Sequence, residues 1–161
     1  KRQELFNKST DAEKMNIKMI NSSVSGDTTI GGLSRIGNDL KLYKPEYVLI
    51  ELGGNDALRG YPLKQIKTNL LKIVDASLES KAKPLIMQIK IPPNYGKKYV
   101  EAFEKIYLEI SNEKDIPLLT FLLEKVALDQ SLMQLDGIHP NEKAQPIIAE
   151  QIKLELSEII K

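Results

Sequence analysis

The sequence contains no cysteine, which excludes disulfide bonds, thiolate catalysis and metal sites built on cysteine. It contains a single histidine and no dense carboxylate cluster, so a metal-dependent phosphatase is a poor hypothesis. No apolar run approaches the roughly 18 residues of a transmembrane helix. Lys+Arg number 23 and Asp+Glu 22, without a basic patch, so nucleic acid is a disfavoured partner.

Length and patterning predict one α/β domain. The 161 residues carry no repeat, low-complexity tract or linker-like run, and this length suits one domain better than two. Short apolar runs alternate with stretches of helical periodicity, which predicts parallel strands joined by crossover helices in an α/β sandwich. The predicted strands are Asn16–Val24, the run that begins at Glu46, Pro84–Pro92 and Ile116–Phe121, and the predicted helices are Thr29–Tyr43, 62–81, 97–114 and Pro140–Ile160.

Four polar segments are candidates for the chemistry of such a domain. The segments SGDT (25–28), GGNDALRG (53–60) and IKIPPNYG (89–96) each follow a predicted strand. Ligands of open α/β sheets bind beyond the carboxyl ends of the strands. The segment DGIHPN (136–141) reaches the same edge if the chain after Phe121 returns to it. We therefore expect the functional site at this edge of the sheet.

Asp136 and His139 form a candidate acid–base pair. A carboxylate on the imidazole Nδ1–H leaves Nε2 free to accept a proton from a nucleophile, and it stabilises the imidazolium that results. The same residues suit the start of a helix, because Asp136 and Asn141 are turn or capping residues and Pro140 fits a first helical turn. The pair alone leaves both interpretations open.

Two glycine-containing segments could donate hydrogen bonds to an oxyanion. In the segment 53–56 the glycines permit close approach of a substrate, and the amide of Asn55 can donate. In the segment 25–28 the backbone N–H of Gly26 is a second candidate donor. Both segments also have the composition of ordinary turns, with Asp27 or Thr28 as the cap of the following helix.

In combination these residues resemble the SGNH (GDSL) hydrolase superfamily, which is named for a serine, a glycine, an asparagine and a histidine. Gly26 in NSSVSGDT matches the glycine block, Asn55 in ELGGNDALRG the asparagine block, and Asp136 with His139 in DGIHPNEKAQP the last block. The order and approximate spacing of the blocks also fit. With MQIKIPPNYGKKY, these stretches extend the resemblance over nearly the whole chain, to bacterial esterases of the superfamily that act on thioesters, lysophospholipids and aryl esters.

The resemblance implies a fold and a mechanism. The fold is a three-layer α/β/α sandwich, flavodoxin-like, with a five-stranded parallel sheet. The mechanism is that of a serine esterase, and we expect neither a cofactor nor a metal. By carry-over, His139 is the general base, Asp136 orients it, and the Gly26 N–H and the Asn55 amide belong to the oxyanion hole.

The resemblance also implies a small-molecule acyl ester or thioester as substrate, with lysophospholipid among the candidates. We expect Leu58, Tyr61 and Tyr95 to cover the acyl chain and Arg59 to meet an anionic head group, although all four suit ordinary surface loops equally well. Relatives of this type are often exported, so we expect a periplasmic or secreted protein, with the cytoplasm as the alternative. The sequence does not predict the oligomeric state.

The serine block is the one that these 161 residues do not contain. The superfamily places its nucleophile in a Gly-Asp-Ser block after the first strand, and no serine before Gly26 has that setting. Thr28 is rejected as nucleophile because it lies within the glycine block. We therefore expect an N-terminally truncated domain, with the first strand, the nucleophile and any signal peptide upstream of Lys1. Alone, the chain would be nearly inert and marginally folded; the alternative is a noncatalytic remnant or binding module.

Overall fold

The computed structural model describes residues 17–160. The chain divides into two compact units: Ser23–Phe121, called the sheet unit, and a second unit of Leu122–Lys161 together with Lys1–Ser22. The sheet unit contains parallel strands and their helices, whereas the described part of the second unit contains loops followed by one long helix. No helix within residues 17–160 has the length and apolar character needed to cross a membrane. The prediction of one domain over residues 1–161 stays a prediction.

The sheet unit alternates helices and strands along the chain. In order, its elements are α1 (Thr29–Tyr43), β1 (Tyr47–Ile50), α2 (Gly54–Leu58), α3 (Leu63–Glu79), β2 (Lys83–Met87), a 3-10 turn (Pro93–Tyr95), α4 (Lys97–Lys114) and β3 (Leu118–Leu119). Helix α1 begins where the Thr28 hydroxyl accepts a hydrogen bond from the Gly31 N–H at 3.4 Å, an N-cap. It ends at Lys44, which adopts a left-handed conformation with φ 44° and precedes Pro45, a residue that cannot continue the helix.

The three strands form one parallel sheet in the order β1-β2-β3. Leu49 of β1 lies opposite Leu85 of β2, and Met87 of β2 lies opposite Leu119 of β3. Parallel neighbours require crossover connections, which α3 and α4 supply. These two helices contact each other and β2, so they cover the same face of the sheet.

The core of the sheet unit lies between this face and the helices. Its fully buried members include Ile66, Leu70, Val74, Ile86, Phe103, Tyr107 and Ile110. The rings of Phe103 and Tyr107 pack edge to face with centroids 5.4 Å apart. The Tyr107 hydroxyl donates a hydrogen bond to the Leu52 carbonyl at 2.8 Å, and burial raises the pKa of this phenol well above its usual value. The aromatic core therefore reaches the end of β1, directly before the segment GGND.

The second unit carries two 3-10 turns and one helix in its described part. The turns are Gln130–Leu132 and Glu142–Ala144, and the helix is α5 (Gln145–Ile159). Pro146 lies in the first turn of α5, where its missing N–H costs no helical hydrogen bond. The Asn141 side chain accepts a hydrogen bond from the Lys143 N–H at 2.9 Å. Asn141 is therefore the N-cap of the 3-10 turn Glu142–Ala144, which precedes α5.

The predicted helices agree more closely with the structure than the predicted strands. The helices predicted at 29–43 and 97–114 have those bounds, and α3 lies within the predicted 62–81. The final helix begins at Gln145 rather than Pro140, because the 3-10 turn comes first. The segment GNDAL, predicted as part of a turn, is the short helix α2.

The predicted strands were too long, and one prediction was wrong. Residues 17–24 form no strand, and Asn16 lies outside the described residues. The strand predicted at Pro84–Pro92 ends at Met87, and that at Ile116–Phe121 shrinks to Leu118–Leu119. A run of apolar residues becomes a strand only where a neighbouring strand completes its hydrogen bonds, and β3 meets β2 at only two pairs. The pattern of apolar residues does not show whether such a neighbouring strand is present.

Candidate active site

In the second unit, Asp136 and His139 are in direct contact. The His139 Nδ1 lies 2.7 Å from Asp136 Oδ2. The other carboxylate oxygen, Oδ1, accepts hydrogen bonds from the backbone N–H groups of Ile138 at 2.9 Å and His139 at 3.0 Å. Both oxygens are therefore engaged within a span of four residues, and the carboxylate is fixed against the imidazole.

The loop that carries this pair, residues 134–141 and called the catalytic loop, is a short hairpin. The Gln134 N–H donates to the His139 carbonyl at 2.7 Å, and Met133 and Pro140 form an isolated antiparallel bridge. Gly137 adopts φ 66° at its tip, a conformation that favours glycine. The Asn141 amide donates to the Met133 carbonyl at 3.2 Å and closes the base. Local hydrogen bonds thus set the geometry of the loop.

The structure excludes Asp136 only as the cap of the final helix. A helix cap would direct its carboxylate to backbone N–H groups of the following helix, but Asn141 caps the turn that precedes α5. Asp136 instead binds the imidazole and the N–H groups of its own loop. Asp136 is thus a turn residue of its own loop that also contacts the imidazole, and its role as the orienting carboxylate stays a prediction.

The electrostatics of this pair favour a charged Asp136. Its pKa is lowered to about 2, first by the backbone N–H of His139, then by the imidazole and by the Ile138 N–H. A carboxylate on Nδ1 holds the neutral ring in the tautomer that has its proton there, so the lone pair lies on Nε2. The His139 side chain is 67% exposed, and Nε2 can take a proton from a reacting group.

In the sheet unit, the structure brings the segments of Gly26 and Asn55 together. Asn55 lies at the start of α2, and its amide Nδ2 donates to the Asp27 carbonyl at 3.0 Å. Gly26 has φ 73°, and within residues 17–160 no acceptor binds its N–H. One amide N–H of Asn55 and the N–H of Gly26 are therefore both available to a ligand within this part of the chain.

Gly53 allows α2 to begin so close to the core. It has φ 107°, and a Cβ at this position would collide with the Tyr107 hydroxyl. Its conformation and its contact both exclude a side chain. The core phenol and the glycine together fix the turn that presents Asn55.

The sequence did not single out Asp56 and Tyr99. Asp56 was taken as a turn residue, but its carboxylate is 1% exposed and accepts hydrogen bonds from the first residue of α1, Thr29. Tyr99, assigned only to an apolar helix face, donates to the carbonyls of Ala57 at 3.3 Å and Tyr61 at 3.2 Å. An aspartate in the glycine-containing segment that follows an apolar run was the available signal for Asp56.

The predicted substrate residues have different surroundings. Leu58 and Tyr61 are half-buried and pack against the hydrophobic core, whereas Tyr95 is 39% exposed at the end of its 3-10 turn. Arg59 donates from Nη2 to the Gly26 carbonyl at 3.2 Å, a contact that the sequence did not predict. The roles of these four residues in binding substrate stay predictions.

Known proteins resemble this chain in both sequence and fold. A sequence profile described as "GDSL-like Lipase/Acylhydrolase family" matches residues 3–146. The chain belongs to this family. It is 46% identical over 142 residues to the "Thioesterase 1/protease 1/lysophospholipase L1" of Escherichia coli (strain K12), covering 88% of this chain and 68% of that protein. It is 45% identical to the "Arylesterase" of Vibrio mimicus, covering 87% of this chain and 70% of that protein.

Solved structures of the GDSL family share the fold. The psychrotrophic esterase EstA from Pseudoalteromonas sp. has a TM-score of 0.92 and 41% identity, covering 96% of this chain and 84% of that one. A crystal structure of TesA has a TM-score of 0.82 and 42% identity, covering 86% of this chain and 77% of that one. The predictions of an SGNH (GDSL) hydrolase and of an α/β fold with a parallel sheet are confirmed.

Proposed function

We propose that the protein hydrolyses acyl esters and thioesters through an acyl-enzyme, with His139 as the general base, Asp136 as its orienting carboxylate, and Gly26 and Asn55 as oxyanion donors. The observation that carries the proposal is the 2.7 Å contact between Asp136 and His139 Nδ1. It leaves Nε2 free on a largely exposed ring. Membership of a family of carboxylic ester hydrolases supports the same assignment.

With a serine as the nucleophile, the proposed roles account for each proton and charge of the reaction. As a serine oxygen attacks the acyl carbonyl, Nε2 of His139 accepts the serine proton, and the charged Asp136 stabilises the imidazolium. The carbonyl oxygen becomes an oxyanion that Gly26 N–H and the Asn55 amide bind. The imidazolium then protonates the leaving alcohol or thiol, and an acyl-enzyme remains. A water molecule, deprotonated by the same Nε2, releases the acid and restores the serine.

The nucleophile of this mechanism stays a prediction. The serine of a Gly-Asp-Ser block is not present in the 161 residues, and Thr28 follows Gly26 and Asp27 within the glycine block. Loss of a serine nucleophile costs on the order of 10⁶-fold in turnover in such triads. Activity is therefore measured on the complete gene product.

The preferred substrate is the finer part of the proposal. One similar protein is named a thioesterase, protease and lysophospholipase, and another is named an arylesterase. We therefore propose acyl esters and acyl thioesters as the substrates of this protein, with lysophospholipid among them. Helix α2 begins at Gly54 and ends at Leu58, and Tyr61 follows it three residues later. The closeness of these two apolar side chains in sequence to Asn55, the proposed oxyanion donor, supports a role in binding the acyl chain. Steady-state rates with p-nitrophenyl esters of increasing chain length, an acyl-CoA and a lysophospholipid would rank these substrates.

The test of the mechanism is a burst experiment on the complete gene product. The EstA structure is described as inhibited by monoethylphosphonate, and we expect a phosphonate ester to abolish the burst of p-nitrophenol here. His139→Ala should lose the burst, while Lys125→Ala, an exposed change in the same unit, should keep it. A gene product that binds esters but shows neither burst nor phosphonate adduct would favour the noncatalytic binding module instead.

Export to the periplasm or medium is a separate proposal, which rests on resemblance alone. Cell fractionation with an antibody against the protein would test it. Recovery of the protein only with cytoplasmic markers would favour the cytoplasmic alternative.

A further inference from the structure

The sheet unit contains a buried carboxylate that the mechanism does not use. Asp56 is 1% exposed and Thr29 is fully buried. The Asp56 oxygens accept hydrogen bonds from the Thr29 hydroxyl at 2.6 Å and from the Thr29 N–H at 2.9 Å. Asn69 of α3 donates to the same hydroxyl at 3.0 Å. In these contacts between described residues, both carboxylate oxygens of Asp56 accept hydrogen bonds.

The N-terminus of α1 makes this burial tolerable. Thr29 is the first residue of a 15-residue helix, whose free N–H groups and dipole favour negative charge. A buried carboxylate without such partners would cost several kcal/mol. The charge also helps to raise the pKa of Tyr107, after the larger effect of burial.

Three side chains of the segment GGNDALRG bind the segment before and at the start of α1. Asn55 binds the carbonyl of Asp27, Asp56 binds Thr29, and Arg59 binds the carbonyl of Gly26. We call these contacts the clamp. Each contact joins residues more than 25 positions apart in sequence. The clamp therefore fixes the position of α2 relative to the turn that contains Gly26.

We infer that Asp56 is a positioning residue of the oxyanion hole: by fixing Thr29 against α2, it sets the separation and orientation of the Gly26 N–H and the Asn55 amide. The inference rests on the oxyanion role proposed for Gly26 and Asn55. Of the two side chains that reach from the start of α2, that of Asn55 is half-buried, whereas the Asp56 contact is fully buried. Asp56 is therefore the more rigid support, and it does not need to touch the substrate.

The expected loss of turnover in an Asp56 variant follows from the contribution of each oxyanion donor to kcat. Removing one oxyanion donor costs about 10²- to 10³-fold in turnover, and misplacing a group by about 1 Å can cost 10²-fold. Asp56→Asn replaces one acceptor oxygen by an NH₂ group and removes the charge. We expect kcat to fall by about 10- to 100-fold, with KM nearly unchanged, because the oxyanion forms only during the reaction.

A double-mutant cycle in the complete gene product separates positioning from general damage. If Asp56 acts through the pair of donors, adding Asp56→Asn to Asn55→Ala should lower kcat by clearly less than it does in the wild-type protein, because one positioned donor is already absent and only the Gly26 N–H is left to misplace. The matched control is Asp75→Asn, the same change in a half-exposed ion pair with Lys114 at 2.6 Å, and it should leave kcat and KM near wild type. Full additivity of Asn55→Ala and Asp56→Asn would overturn the inference.

A second measurement does not depend on turnover. In NMR spectra of the complete gene product, Asp56→Asn should shift the side-chain NH₂ signals of Asn55 and speed their exchange with water, while Asp75→Asn should leave them in place. If Asp56→Asn does not fold, Thr29→Val removes the hydroxyl that binds Asp56 and Asn69 but keeps the Thr29 N–H bond to Asp56, and it should produce the same shift in smaller measure. Unmoved Asn55 signals in the folded variant would overturn the inference. A wild-type protein inactive on all esters would overturn the proposed function, and the NMR result would still decide the role of Asp56.

Discussion

The catalytic loop of the second unit and the clamp of the sheet unit hold their functional groups in opposite ways. Asp136 and His139 are bound by contacts that span two or three residues, and both side chains are largely exposed. Asp56 and Thr29 are buried and lie 27 residues apart in sequence. Local hydrogen bonds can form an acid–base pair at the surface, whereas the proposed oxyanion donors, Gly26 and Asn55, depend on contacts between distant segments. Mutations should therefore separate activity from stability in the loop and couple them in the clamp.

The largest expected effect is on turnover in the catalytic loop. Asp136→Asn keeps the shape of the side chain but no longer selects the tautomer that leaves Nε2 free, and this change lowers kcat by about 10⁴-fold in a comparable triad. The urea midpoint should stay near wild type, because the group is exposed. Steady-state kinetics and urea titration of the complete gene product check both parts.

Asp129→Asn is the control for this variant. Asp129 is an exposed aspartate of the same unit that accepts a hydrogen bond from the Ser131 N–H at 2.9 Å, so the change is chemically matched but lies outside the catalytic loop. A comparable loss of turnover in both variants would contradict the special role of Asp136.

The second largest effect is on stability in the clamp. Asp56→Ala leaves the buried N–H and hydroxyl of Thr29 without their acceptor, and unsatisfied buried donors cost about 1 to 3 kcal/mol each. We expect the free energy of unfolding to fall by about 2 to 5 kcal/mol, measured by urea denaturation. Asp75→Ala, which breaks an ion pair with a half-exposed carboxylate, should change stability little. Equal losses in the two variants would remove the contrast between buried and exposed carboxylates.

The same contrast explains which features could be predicted from sequence. The spacing of Asp136 and His139 is visible in sequence, and the structure joins them because their contact is local. The bounds of α1 and α4 follow from periodicity and caps, which are also local. The length of a strand depends on hydrogen bonds to neighbouring strands elsewhere in the chain. For this reason the strand predicted over residues 17–24 was wrong. Asp56 was missed for the same reason, since its partner lies 27 residues away.

A smaller effect is expected at the glycine that links the core to α2. Gly53→Ala forces a side chain into a conformation with φ 107° and against the Tyr107 hydroxyl, and strain with overpacking should cost about 2 to 4 kcal/mol. Gly60→Ala, where φ is 70° but nothing lies within 4 Å, should cost less, because only the backbone is strained. Thermal and urea unfolding measure both variants.

A second substitution identifies the contact responsible. Adding Tyr107→Phe to Gly53→Ala removes the colliding oxygen and should restore part of the lost stability. Tyr107→Phe alone should destabilise, since it leaves the Leu52 carbonyl without its 2.8 Å donor. Simple addition of the two losses would show that backbone strain, not the phenol, excludes a side chain at Gly53.

The smallest effect concerns the pH dependence of the catalytic loop. The pKa of Asp136 is lowered to about 2 from a usual value of 3.8, so the carboxylate is charged above about pH 4 and loses its charge as the pH falls through about 2. NMR titration of its carboxyl carbon should give a midpoint near 2. In His139→Ala the midpoint should rise only part of the way, because the largest cause, the backbone N–H of residue 139, and the Ile138 N–H both remain. A return to 3.8 would mean that the imidazole alone, rather than the hydrogen bonds of the loop backbone, keeps Asp136 charged.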